Sequence, residues 1–294
     1  MRRLLFTLVL LLCCALPSAA ETTHTFTRVI SLAPSFTECI FAIGAEQHLV
    51  GVGDFDSYPP AVSKLRRCGG WSNPNFETIR GLNPDLIIIL GRHEKVRTFA
   101  DSRHIRIESL HLETMADIPA CMLRLGQLLG ADAGATSVST QFTAKLARFK
   151  TELAAQPQLV RPRVFVCIGR QEGALAGLTT ITTGSFLDEA LSLAGGVNVF
   201  ADLKHYYPSI SKEALLARKP DVIVELREGA ELTPEQAAAT AREWQSLAAL
   251  PAVRNGRVYV LSAPGLLIPG PRFTQTIARL RHLLFPHGLG EKKS

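Results

Sequence analysis

One part of this chain repeats another. Phe76-Glu77-Thr78-Ile79-Arg80-Gly81-Leu82-Asn83-Pro84-Asp85-Leu86-Ile87-Ile88 matches Lys212-Glu213-Ala214-Leu215-Leu216-Ala217-Arg218-Lys219-Pro220-Asp221-Val222-Ile223-Val224 at a constant offset of 136 residues. Upstream, Glu38 to Gly44 matches Glu189 to Gly195 at an offset of 151, so the loops between the matched segments differ in length. Two copies are too few for a solenoid, which needs about three or more. The repeat therefore reads as two similar lobes.

Each copy follows one plan. A strand (Arg28 to Leu32; Val164 to Ile168) leads to a helix closed by glycine, Gly44 or Gly195-Gly196, as helix C-termini prefer. A loop leads to a second helix, Phe76 to Leu82 or Lys212 to Arg218, which stops before Pro84 or Pro220 because a residue preceding proline resists helical geometry. A continuous apolar run follows, Leu86 to Leu90 or Val222 to Leu226, as suits a strand buried on both faces of a parallel sheet. Ile105 to Ile107 and Arg257 to Leu261 are further strands. Strands alternating with helices predict an α/β class.

Between the copies, Val138, Phe142, Leu146, Phe149 and Leu153 form the apolar stripe of an amphipathic helix, with Pro157 and Pro162 at its exit. The expected architecture is two Rossmann-like α/β lobes joined by a single long α-helix. The lobes are placed at 21–132 and 158–294, the helix at 133–157 and a leader at 1–20. A stiff helix, in place of extended crossovers, would limit hinge closure.

The leader rests on Arg2-Arg3, an apolar run from Leu4 to Leu16, and the small-residue end Ser18-Ala19-Ala20, the pattern of a cleavable secretory signal. Cys13 and Cys14 raise the rival of a lipid-anchored precursor, but the residues before them are not the small ones such a site wants. An exported, soluble chain is expected. Removing Arg2 and Arg3 lowers the formal charge from +6 to +4, unclustered and no argument for nucleic acid. Export permits disulfides among Cys39, Cys68, Cys121 and Cys167. Cys39 and Cys68 share a half and are the pair to test first; the alternative is four small buried hydrophobes.

The chemistry-bearing loops precede the second helices. They hold Asp54-Phe55-Asp56-Ser57-Tyr58-Pro59-Pro60 and Gly69-Gly70-Trp71-Ser72-Asn73-Pro74-Asn75 in the first copy, and His205-Tyr206-Tyr207-Pro208 in the second. Trp71 and Tyr207 obey the 136-residue offset and so occupy equivalent places. Gly/Pro-rich loops run over surfaces where binding groups concentrate, so these rings are expected to face a cleft suited to a large, flat, partly apolar ligand. Phe55 would join at the rim, and Tyr58 and Tyr206 are further ligand candidates. The alternatives are ordinary core packing and, for Tyr58, a turn packed on Pro59 and Pro60.

Glu77 and Glu213 are also equivalent, each in a first helical turn behind an expected N-cap, Asn75 or Ser211. Either they complement a helix dipole, or they are matched anionic knobs for a partner with two basic sockets. The histidines lack metal-site spacing, Gly51-Val52-Gly53 lacks a dinucleotide fingerprint, and no catalytic constellation assembles. No catalytic residue, no metal site and no cofactor are expected.

From Arg28 to Leu284 the chain resembles the periplasmic binding proteins whose lobes are joined by one long helix and which serve importers of cobalamin, haem and iron–siderophores. The carriers are Arg28 to Ser35, Gly69 to Glu77, both Pro-Asp-strand units and Pro269-Gly270-Pro271-Arg272. The resemblance implies a periplasmic, monomeric, non-enzymatic receptor. It would hold a corrinoid (cobalamin) as transported ligand between Phe55, Trp71 and Tyr207. It would dock Glu77 and Glu213 on a dimeric permease with ATPase subunits. The second-lobe segments Thr179 to Ser185 and Ser262 to Pro269 depart from the family pattern, which leaves the ligand open. Haem would call on Tyr58, His205 or Tyr206, and a ferric siderophore on Arg92, Arg170 or Arg272. A two-lobed metallocluster or chelatase-like enzyme is the remote alternative.

Overall fold

A computed structural model describes residues 25–171 and 173–289. The leader at 1–20 lies outside the described residues.

The first lobe runs β1 (Val29–Ser31), α1 (Pro34–Ala42), β2 (Leu49–Val52), β3 (Arg66–Arg67), α2 (Phe76–Gly81), β4 (Leu86–Leu90), α3 (Glu94–Asp101), β5 (Arg106–Leu110) and α4 (Asp117–Leu129). Its sheet, in order β3-β2-β1-β4-β5, is parallel throughout. Then comes α5 (Asp132–Ala154), 23 residues and therefore about 34 Å long. The second lobe runs β6 (Arg163–Gly169), β7 (Leu178–Thr180), α6 (Phe186–Ala194), β8 (Val197–Asn198), β9 (Ser209–Ile210), α7 (Lys212–Arg218), β10 (Val222–Arg227), α8 (Pro234–Arg242), α9 (Pro251–Arg254), β11 (Val258–Ser262) and α10 (Thr274–Leu284). Its sheet is ordered β11-β10-β6-β7-β9, with β8 also on β6. Here β7 runs antiparallel to both neighbours, so the second sheet is mixed where the sequence suggested a twin of the first. The fold is α/β, with two lobes and one long helix between them.

Strand alternation explains the layering. In β1, Val29 faces one core while Ile30 faces another; in β10, Val222 and Val224 part from Ile223 in the same way. Each sheet thus buries both faces. The inner faces merge: Val29, Phe36 and Ile88 of the first lobe belong to one continuous core with Val164, Leu187 and Ile277 of the second. The helix α5 packs against α1, α4, α6 and α10 and carries that core between the lobes. Phe142 of its stripe is buried; Val138, Leu146 and Phe149 are partly so.

Small residues permit this crossing. A Cβ on Gly134 would lie 2.1 Å from the Ile43 carbonyl oxygen, and one on Gly126 would strike the Ala135 Cβ at 2.5 Å. The close spacing of these helices therefore depends on absent side chains at two points.

All four described cysteines are free and buried, and Cys39 is not bridged to Cys68. They sit on opposite faces of the first sheet, Cys39 in the shared inner core and Cys68 in the outer one, so sharing a half did not bring them together. The neighbour of the Cys39 thiol is Cys121 of α4.

Gly134→Ala is expected to destabilise the protein by about 2 kcal/mol or more, because the obstacle is backbone and overpacking a close crossing forces displacement. Urea denaturation of the two proteins measures it.

Candidate binding cleft

In a parallel sheet every strand ends at the same edge, and the following loops gather there. In the first lobe this puts the loops after β2 and β3 side by side, with those after β4 and β5 further along. Phe55 and Tyr58 lie on the first loop, Trp71 on the second, His93 on the third and Glu113 on the fourth.

The first two loops are stitched together. Asp54 N–H donates to the Gly69 carbonyl (3.1 Å), and Gly69 N–H donates to Asp54 Oδ1 (3.2 Å). Gly69 has φ +88°, and a Cβ there would meet the Asn73 carbonyl at 2.4 Å. That tight turn, closed by the Gly69–Pro74 bridge, presents Trp71 near its tip. Gly70 leaves room for the Phe55 ring, which lies 3.2 Å from where a Cβ would stand. Trp71 is steadied by His93, whose Nε2 donates to the Trp71 carbonyl (2.6 Å) and whose ring meets the indole edge-on at 5.2 Å. His93 Nδ1 accepts from Val96 N–H at the start of α3 (3.3 Å), which fixes the tautomer and leaves neither ring nitrogen for a metal.

In the second lobe Tyr206 and Tyr207 are neighbours, ring centroids 6.4 Å apart. Their loop is hung on the strand-to-α6 segment: Thr182 N–H donates to the Tyr206 carbonyl (3.1 Å) and the Thr182 hydroxyl to that of His205 (2.7 Å). Gly184, at φ +94°, makes room for the Tyr206 ring. This segment meets the other lobe, because Phe186 N–H donates to the Glu113 carbonyl (2.7 Å). Burial pushes the Tyr207 phenol well above the usual range, and the Glu113 carboxylate adds to the shift.

Phe55, Tyr58, Trp71, Tyr206 and Tyr207 are, among the described residues, the aromatic side chains that are left exposed; Phe55 is 75% and Trp71 50% accessible. Trp244, the other tryptophan, is fully buried.

Glu77 and Glu213 are both exposed in the first turns of α2 and α7, and the expected caps are present, with Asn75 Oδ1 accepting from Thr78 N–H and Ser211 Oγ from Ala214 N–H. They differ in company. Glu77 pairs with Arg80 at 2.6 Å, while the Glu213 carboxylate is held below its usual range by its own backbone N–H and the Ser211 hydroxyl.

Two arginines raised for an anionic cargo are already engaged. Arg170 is buried against Glu225 (3.0 Å) and Glu243 (2.7 Å), and Arg272 pairs with Glu38. Among the described residues no three His, Cys, Asp or Glu side chains converge as metal ligands. A cavity of about 620 Å³, lined by Arg80, Asn83, Arg103 and Arg106, lies at the opposite edge of the first sheet, where β4 and β5 begin.

Sequence reasoning passed over Asp56, which stands between two residues it singled out. Asp56 is buried, its oxygens have no hydrogen-bond partner, and the Thr37 hydroxyl beside it is turned to Ser31 Oγ (2.8 Å). Burial pushes its carboxyl up to about 7; Thr37 and Arg67 oppose the shift, while Glu38 and Asp54 reinforce it. Nothing in the local sequence marks this aspartate as inward-facing.

A two-lobed α/β scaffold with exposed aromatic rings at the strand-end edge and the lobe junction defines a solute-binding protein. The chain belongs to the periplasmic binding protein family, which it matches over residues 29–264. It is 30% identical over 256 residues to a vitamin B12-binding protein of Vibrio cholerae, covering 86% of this chain and 87% of that one. A vitamin B12-binding protein of Pectobacterium carotovorum is 28% identical, with 86% and 89% covered. Among solved structures, the periplasmic vitamin B12 binding protein BtuF of Vibrio cholerae matches with TM-score 0.74 and 29% identity over 88% of this chain and 96% of that one. A periplasmic heme binding protein from Pseudomonas aeruginosa matches with TM-score 0.77 and 26% identity, covering 91% and 96%.

Asp56 carries a sign-definite prediction. An unfolded aspartate titrates near pH ~4, so between about 4 and 7 the folded chain holds a proton that the unfolded chain releases. Stability therefore falls as pH rises through that window and is level above it. Asp56→Asn is expected to exceed wild type by up to about 4 kcal/mol at pH 8, the gap closing as pH is lowered toward about 4, measured by urea denaturation across pH.

Proposed function

We propose that this chain is the periplasmic receptor of an ATP-driven importer, holding a corrinoid between lobes at 21–132 and 158–294 and delivering it unchanged to a dimeric permease. The observation that carries this reading is the exposure of Phe55, Tyr58, Trp71, Tyr206 and Tyr207 together, when the other tryptophan is buried. Leaving such surface in water is unfavourable by roughly 25 cal/mol per Å², so a partner with flat apolar faces is the economical explanation. The vitamin B12-binding relatives narrow that partner to a corrinoid. No bond is made or broken in this role; the protein supplies shape, ring faces and docking charges.

Haem is the second reading, supported by the heme-binding structural relative. It would want a protein ligand for iron. His93 has both ring nitrogens engaged, and the raised Tyr207 phenol opposes the phenolate that ferric iron prefers. Tyr58, His205 and Tyr206 are the residues left for that task. A corrinoid can bring its own axial ligands and asks for none of them.

Calorimetric titration with cyanocobalamin tests the reading, with hemin in parallel. Tight binding of cyanocobalamin alone is expected; a Soret shift on adding hemin without a cyanocobalamin signal would reverse the order. Trp71→Ala or Tyr207→Ala is expected to weaken cyanocobalamin binding about 10- to 100-fold, as truncation of an interface aromatic does.

Glu77 and Glu213 are proposed as the permease contacts, one from each lobe, meeting basic residues of the two permease subunits. The double variant E77K/E213K is expected to abolish cobalamin uptake by whole cells while leaving calorimetric affinity unchanged. Uptake at the wild-type rate would remove the docking role.

A further inference from the structure

The loop after β11, from Ala263 to Arg272, crosses from the second lobe onto α1 of the first. Its end is Arg272, whose guanidinium lies against Glu38 in a bidentate pair: Nε to Oε2 at 2.9 Å and Nη2 to Oε1 at 2.5 Å. Glu38 is buried at 5% accessibility. Nη1 donates to the Pro264 carbonyl of its own loop (3.3 Å). With its edge so engaged, the guanidinium lays its face on the Tyr58 ring, 3.7 Å from the centroid. Three groups from two lobes thus meet on one planar cation.

The surroundings are shaped for this arginine. Gly265, at φ +86°, stands where a Cβ would strike Arg272 Nη2 at 2.3 Å. Gly270 sits over Glu38, a Cβ there falling 3.4 Å from Oε2. Glu228 fixes the loop from beneath, accepting from Gly265 N–H (2.6 Å) and Leu267 N–H (3.1 Å). On the other side Arg67 holds the Tyr58 loop by the carbonyls of Gly53 (2.9 Å) and Asp56 (2.6 Å). Each partner of the clasp is therefore anchored in its own lobe. Lysine would keep the charge but could neither form the two-pronged contact nor offer a flat face.

We propose that Arg272 is a positioning residue for ligand capture: anchored on Glu38, it holds the Tyr58 ring at the cleft rim and ties that ring to the alignment of the two lobes. This rests on the corrinoid reading, in which the Phe55–Tyr58 loop contacts cargo. Arg272 itself is engaged by Glu38 and Pro264 and acts through Tyr58.

The test uses the mature chain, its Arg272→Gln, Tyr58→Leu and double variants, and Arg272→Lys. Cyanocobalamin affinity is read by calorimetry, and amide exchange of the unliganded proteins by mass spectrometry. R272Q and Y58L are each expected to weaken binding about tenfold, with the double variant no worse than either, because both break one contact. R272K, the variant least able to disturb folding, is expected to lose several-fold in affinity at a near wild-type melting temperature. R272Q is also expected to speed exchange in both 54–58 and 264–270, segments of different lobes. Wild-type affinity in R272Q or R272K, or additive losses in the double variant, would overturn the proposal. Wild-type protein that binds no cyanocobalamin would overturn the corrinoid reading and the ligand-positioning role together. Faster exchange in both segments of R272Q would still distinguish that failure from an absent clasp.

Discussion

The structure depends on one shared core. The inner faces of both sheets, and the helices laid on them, contribute to a single apolar interior that α5 carries from lobe to lobe. A core of this kind is close-packed and tolerates little shear, so the lobes are positioned by packing as much as by the chain that links them. The approach of Gly134 to the Ile43 carbonyl is one point where the packing leaves no space for a side chain. Everything at the cleft, from the stitched first-lobe loops to the tyrosine loop of the second, inherits its place from this frame.

Much of the frame was legible in the sequence because it follows from periodicity and stereochemistry. The β4 strand and α7 fall at the residues expected, since an apolar run after Pro-Asp and a helix between Ser211 and Pro220 each have one economical reading. The long helix begins one residue before and ends three residues before the span its stripe suggested. What failed to show was tertiary. The antiparallel β7 returns along β6 and also pairs with β9 beyond α6, and the repeat does not announce it because the all-parallel first sheet has no counterpart. Cys39 and Cys68 looked like partners because they share a lobe, yet a sheet separates them.

The site divides the same way. The internal repeat pointed to Trp71 and Tyr207, and both carry exposed rings. It could not point to Asp56 or Arg272, and although Glu38 opens a repeated segment, its pairing across 234 positions is invisible there. Arg272 was visible within a family-like motif, but its pairing with Glu38 was not. Charged groups engaged in long-range pairs look identical, in sequence, to charged groups free for a ligand; Arg170 illustrates this, being buried and paired with Glu225 and Glu243.

On the proposed reading, the uninterrupted interior also governs how a ligand can be accommodated. Swinging the walls apart as rigid plates would break the contacts of α5 with α1, α4, α6 and α10, whereas turning the largely solvent-facing Phe55 ring about its own bonds disturbs far less. Adaptation to shape is thereby confined to the lining, and the vessel keeps its bore.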